Sequence, residues 1–101
     1  MTSAAHETRL AVAVQDDAGH WHAHGSQHYP DTAEGRAAAR EHARFRRIEI
    51  GRRGYTRAGC CGCACREVSV VPMHYDERAY RYVIDFDRWN PPPAVRRVEE
   101  R

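Results

Sequence analysis

Three stretches of this chain carry residues in the two-residue period of a strand, and one repeats in the period of a helix. "TRLAVAVQ" puts Leu10, Val12 and Val14 on one face. "HWHAHGS" sets Trp21 and Ala23 against His20, His22 and His24, and the turn residues "DDAG" between these two stretches predict a hairpin. "AYRYVIDFDRW" alternates Tyr80, Tyr82, Ile84 and Phe86 with Arg81, Val83, Asp85 and Asp87. Two further strands are expected, "RIEIGRRGYTR" broken by Gly51 and Gly54, and "REVSVVPMHY" interrupted or ended at Pro72, which cannot donate to a ladder.

Asp31, with Glu34 three residues on, has the chemistry of a capping box, and an alanine-rich helix from about Thr32 to Arg47 follows. At 100° per residue, Arg36, Arg40, Arg44 and Arg47 fall within about 80° of one another. Ala38 and Phe45 lie opposite, as the expected inner stripe. The predicted order is β-β-α-β-cysteine loop-β-β. That is a small single α+β domain with one helix packed on a mainly antiparallel sheet. Within residues 1–101 the pattern divides into an N-terminal arm 1–8, a hairpin, helix and strand over 9–57, a cysteine loop plus hairpin over 58–90, and a proline-initiated tail 91–101.

Composition sharpens the middle of the chain. All 16 basic residues are arginine, as a GC-rich coding sequence, bacterial or phage, would give. Net charge is only +2, yet residues 36–57 hold eight arginines against Glu41 and Glu49. Residues 1–35 hold five acids against Arg9. Guanidinium groups match phosphate oxygens, so Arg36, Arg40, Arg44, Arg47, Arg52, Arg53 and Arg57 read as a nucleic-acid surface. Tyr55, among the last of them, is placed to stack on a base. The competing reading is a solvated helix face, or one that meets an acidic protein.

All four cysteines lie within "GCCGCAC", residues 59–65. Such crowding cannot staple distant segments. No stretch has the apolar core of a signal peptide or a membrane span, so a reducing cytoplasm is expected, where clustered cysteines bind metal or do redox chemistry. Zinc takes four sulfur or nitrogen ligands in a tetrahedron, at about 2.3 Å and 2.0 Å. Cys60 and Cys63 have C-x-x-C spacing, and three ligand sets compete. One is Cys60, Cys63 and Cys65 with a histidine; another is Cys60 and Cys63 with two of His20, His22 and His24; the third is all four cysteines, Cys61 included. A mixed cysteine–histidine site is preferred, with His28, His42 and His74 as further candidates.

No nucleophile elbow, P-loop or H-E-x-x-H motif occurs, and Asp85 and Asp87 read as an outward acidic edge, so the pattern leans away from an enzyme. The expected function is a zinc-stabilised cytoplasmic protein that binds nucleic acid, or a nucleic-acid-handling complex, through its arginine face. The alternative is an adaptor or inhibitor, phage-encoded, with an acidic partner. A thiol redox or metal-handling protein is the third reading.

Overall fold

The structure, a computed structural model, describes residues 7–91. Residues 1–6 of the expected arm and 92–101 of the expected tail lie outside the described residues. The elements run β1 (Arg9–Asp16), β2 (Trp21–His22), β3 (Tyr29–Pro30), α1 (Ala33–Arg53), β4 (Thr56–Arg57), β5 (Ala64–Asp76) and β6 (Arg81–Ile84). Among the described residues every strand pairing is antiparallel, and the one helix packs on the resulting six-stranded sheet. This is the α+β architecture the patterning predicts. No helix among the described residues is long and apolar enough to cross a membrane.

The sheet is built around β1 and β5, which pair from Arg9↔Met73 to Asp16↔Cys65 with a register shift at Gln15/Asp16. Residues 10–15 are buried without interruption, so β1 is covered on both faces. One face carries Ala11 and Ala13, which join Val71 and Met73 beneath Trp21, Ala23, Tyr82, Ile84 and Trp89. Trp21 and Trp89 meet edge to face at 5.2 Å. The other face, bearing Leu10, Val12 and Val14, lies under α1. Tyr29 stands opposite Leu10 and shares a hydrogen bond between its hydroxyl and Nδ1 of His42 (2.9 Å). The apparent alternation of β1 is therefore one of size rather than polarity. Small alanines face the aromatic cover, and branched residues face the helix.

β5 runs straight through Pro72, where an interruption was expected. In an antiparallel ladder the N–H and C=O of one residue point to the same side. The carbonyl of Pro72 accepts from the amide of Asp85 (2.9 Å), on the side away from β1, so the missing donor costs the β1 ladder nothing. Asp85 itself is buried, its side chain accepting the amide of Asp87 and lying 3.6 Å from Nδ1 of His74. It is no outward acidic edge. The last strand stops at Ile84, and Phe86 is exposed.

The helix begins one residue later than the capping-box pattern indicates. Thr32 is the cap, its hydroxyl accepting the amide of Gly35 (3.0 Å), while Asp31 pairs with Arg36. It also ends later, because "IEIGRR" continues it instead of forming a strand. Arg46 explains the extension: its Nη1 donates to the Thr56 hydroxyl and to the Arg57 carbonyl, both at 2.8 Å. The same Thr56 hydroxyl donates to Glu49. These bonds tie the last turns to β4. Gly54 then closes the helix at φ +86°, donating its amide to Ile50.

The inward stripe is Gly35, Ala39 and Ala43, while Ala38 and Phe45 are exposed. The expected inner stripe was wrong because close approach, not hydrophobicity, selects the face. A Cβ on Gly35 would stand 1.8 Å from the Pro30 carbonyl oxygen.

Two outcomes follow. Gly35→Ala should destabilise the fold by about 1–3 kcal/mol through overpacking. Gly51→Ala, whose added Cβ meets nothing within 4 Å, should stabilise it by about 0.5–1 kcal/mol. Chemical denaturation reads both. Burial also pushes His28 and His42 below their ordinary 6.5, helped by Arg9 and Arg46 respectively. The unfolded chain therefore protonates first. The stability these groups supply is complete above 6.5 and is lost as pH falls through their lowered folded values. Melts of metal-free protein between about pH 7 and pH 5 should show this decline, and His42→Gln should flatten it.

Candidate metal centre

The site forms where β1 ends. Asp16 caps the turn to β2, its Oδ1 accepting the amides of Ala18 (2.9 Å) and His20 (3.0 Å). That leaves Oδ2 for the ring of His22, which sits on β2 opposite Val14 and offers Nε2 at 2.8 Å. The His22 bond is the chief reason the Asp16 carboxyl lies below its ordinary 3.8. A carboxylate there accepts, so Nε2 carries the proton and Nδ1 presents its lone pair.

That lone pair faces the cysteine loop. Nδ1 of His22 lies 3.7 Å from the sulfur of Cys60 and 3.7 Å from that of Cys61. The loop is held by backbone bonds from Gly62 N to Ala58 O (2.7 Å) and from Ala58 N to Cys63 O (2.9 Å). Arg57 adds a bond to the Gly62 carbonyl (2.9 Å). Gly62 has φ +77°, the left-handed conformation that lets the chain turn between Cys61 and Cys63. Two donor groups result, His22 with Cys60 and Cys61, and His22 with Asp16 and Cys63, each with ligand atoms within 4.8 Å of one another. These clusters could hold a metal ion.

Edge lengths test the fit. With the usual bond lengths, a tetrahedral zinc site has N···S edges of about 3.6 Å and S···S edges of about 3.8 Å. Both His22–sulfur distances match. The Cys61–Cys63 separation of 2.7 Å does not, so Cys63 becomes a co-ligand only by swinging outward about 1 Å. The Asp16–His22 contact is a hydrogen bond, and it makes Asp16 the residue that orients the ligand.

The other expected ligands are placed elsewhere. Cys65 is fully buried among Val14, Ala58, Cys63 and Val68, and burial pushes its thiol up to about 11. His20 is exposed with Nδ1 3.7 Å from Asp16. His24 stands against Gly59, but its Nδ1 is bonded to the Ser26 hydroxyl (2.7 Å). Neither shares His22's geometry, because β2 ends at His22 and the expected common face of three histidines is not formed. His74 contacts Asp85, while His28 and His42 line a separate cleft of about 410 Å³ with Tyr29 and Arg46. Asp16 was missed; the turn "DDAG" placed just before a histidine-bearing strand was the available signal.

The arginine surface is largely engaged. Arg36 pairs with Asp31, Arg44 with Glu41, and Arg53 with both Glu49 and the Tyr55 hydroxyl. Arg47 reaches the Val68 carbonyl at 3.5 Å. The guanidinium carbons of Arg53 and Arg57 lie 4.6 Å and 5.1 Å from the Tyr55 ring centre, so a base seeking that ring competes with both. Arg40 and Arg52 are exposed, with no hydrogen bond or ion pair among the described residues.

These placements separate two kinds of arginine. Arg46→Gln should destabilise the fold by about 1–3 kcal/mol, the scale for charged hydrogen bonds to partly buried partners. The double change Arg40→Gln and Arg52→Gln should stay within about 0.5 kcal/mol of the parent. Thermal unfolding distinguishes them.

No known protein family, curated protein or solved structure matches the chain, so its function is argued from this chemistry.

Proposed function

We propose that the chain is a small zinc-stabilised binding protein of a reducing compartment. One ion is held by Nδ1 of His22 and the thiolates of Cys60, Cys61 and Cys63. The observation that carries this reading is the His22 ring, fixed through Nε2 by Asp16 and presenting Nδ1 to two sulfurs at tetrahedral-edge distance. A carboxylate behind an imidazole is the usual support of a metal-bound histidine, since it fixes the tautomer and raises ligand basicity. Sulfur with nitrogen in a tetrahedral set suits zinc. The ion's work is structural. It joins the loop after β4 to β2, linking His22 to Cys60 across a sequence separation of 38, in a domain whose buried side chains are mostly small.

The binding surface is the arginine side of α1, and nucleic-acid phosphate is the partner that chemistry favours. Arg40 and Arg52 are ready donors, and the exposed pairs of Arg36 and Arg44 are weak enough to exchange carboxylate for phosphate. An acidic protein surface is the alternative partner. It would be recognised by co-purification and by the absence of retention on DNA.

Elemental mass spectrometry of untagged protein should find about one zinc per chain, with Cys60, Cys61 and Cys63 protected from thiol reagents until a chelator is added. His22→Ala should lose the ion. Asp16→Asn should weaken binding by about 10–100-fold, and Cys65→Ala should keep the stoichiometry. Metal-free protein with freely titrating exposed thiols would overturn the site. Retention on random DNA should fall with salt and weaken in the Arg40→Gln, Arg52→Gln variant; salt-independent retention would remove the nucleic-acid reading.

A further inference from the structure

The distance that fits a shared metal least well carries a second chemistry. The sulfurs of Cys61 and Cys63 stand 2.7 Å apart, about 1 Å inside a tetrahedral S···S edge and about 0.7 Å outside a disulfide bond of about 2.0 Å. The loop holds them there: Gly62 turns the chain between them, and the bonds linking Ala58, Gly62 and Cys63 close the turn. Cys61 is exposed and Cys63 partly so. Cys65 is buried, and Cys60, exposed and as close to His22 as Cys61 is, is the one competing thiol, which peptide mapping tells apart.

We propose that Cys61 and Cys63 form a reversible disulfide within the loop, making it a dithiol that reduces low-molecular-weight disulfides of the glutathione class. Cys61, the exposed sulfur, attacks as thiolate on one sulfur of the small disulfide. A protein–S–S–R bond forms, the R–S–S–R bond breaks, and one RS⁻ leaves. Cys63 then attacks Cys61 Sγ, the mixed bond breaks, and the second RS⁻ leaves. The two protein thiol protons pass through solvent to the two leaving thiolates. The protein dithiol is oxidised by two electrons and one small disulfide is reduced to two thiols.

Oxidation and metal binding are then exclusive states of one loop. This second statement rests on the metal reading; the dithiol does not. With Cys61 and Cys63 joined, His22 and Cys60 are the donors left of the proposed four, too few to close a zinc site. Conversely, zinc at about a hundred times its Kd leaves about one free dithiol in a hundred, and should slow oxidation by about a hundredfold.

The test is to hold zinc-loaded and metal-free full-length protein in glutathione buffers of increasing oxidised fraction. Alkylation and peptide mass spectrometry map the disulfide, and a chromophoric chelator reads released zinc. The expected result is a Cys61–Cys63 disulfide, zinc released in step with it, and recovery of both on reduction. Cys60→Ser should still form the bond, whereas Cys63→Ser should stop at a persistent glutathione adduct on Cys61. A disulfide mapped to another pair, a bond between two chains, or stable adducts on the parent protein would overturn the dithiol. If the bond forms but zinc never binds, the dithiol stands and the metal reading and its exclusivity fail. If zinc binds and no Cys61–Cys63 bond forms, the dithiol fails and the metal reading stands.

Discussion

Everything in this molecule is arranged around the burial of β1 on both faces. A central strand covered twice must present side chains that each cover can approach, and the chain meets this with alanines. Ala11 and Ala13 admit the tryptophan layer, and Gly35, Ala39 and Ala43 bring α1 close to the opposite face. Close packing of small groups supplies less apolar area per residue than a leucine core, so contacts at the margins carry more of the burden. Arg46, Glu49 and Thr56 fasten one end of the helix, and the His42–Tyr29 bond fastens its middle to β3.

The candidate metal centre inherits its position from the same strand. β1 pairs with β5 as far as Asp16, where the register shifts, and Asp16 turns the chain back with one carboxylate oxygen while orienting His22 with the other. β5 begins just beyond the cysteine loop, so one end of that strand pairing carries both halves of the site. The residues that build the fold and those that orient the ligand are one set.

Much of this could be read from residue order. The strand character of 9–16 and of much of 66–75, the approximate start of the helix and the meeting of the cysteine loop with one of His20, His22 and His24 follow from local periodicity and spacing. What could not be read was settled by tertiary contact. "IEIG" alternates like a strand, but Arg46 and Glu49 find Thr56 and hold it helical. Phe45 is the more apolar residue, yet Ala39 and Ala43 are inside because the gap to the sheet admits no ring. Cys65 looks equivalent to its neighbours by spacing, but β5 starts at Ala64 and draws it into the sheet's packing. Asp16 was overlooked because a turn aspartate ordinarily has only backbone to serve.

The long strand β5 has one further consequence. On the side away from β1 it is paired only at its ends, by β4 at Ala64 and Cys65 and by β6 from Met73 to Asp76. Among the described residues, the segment between is an open sheet edge, the kind of surface on which strands of separate molecules add to one another. Here that edge is blunted. Pro72 offers no amide, Arg47 lays its guanidinium on the Val68 carbonyl, and Arg66 is anchored to Asp17 and the Gly54 carbonyl. An incoming strand would have to displace bound arginine and draw two positively charged surfaces together. Arg47, which belongs to the proposed binding surface, thus also occupies the edge at which a second strand would add.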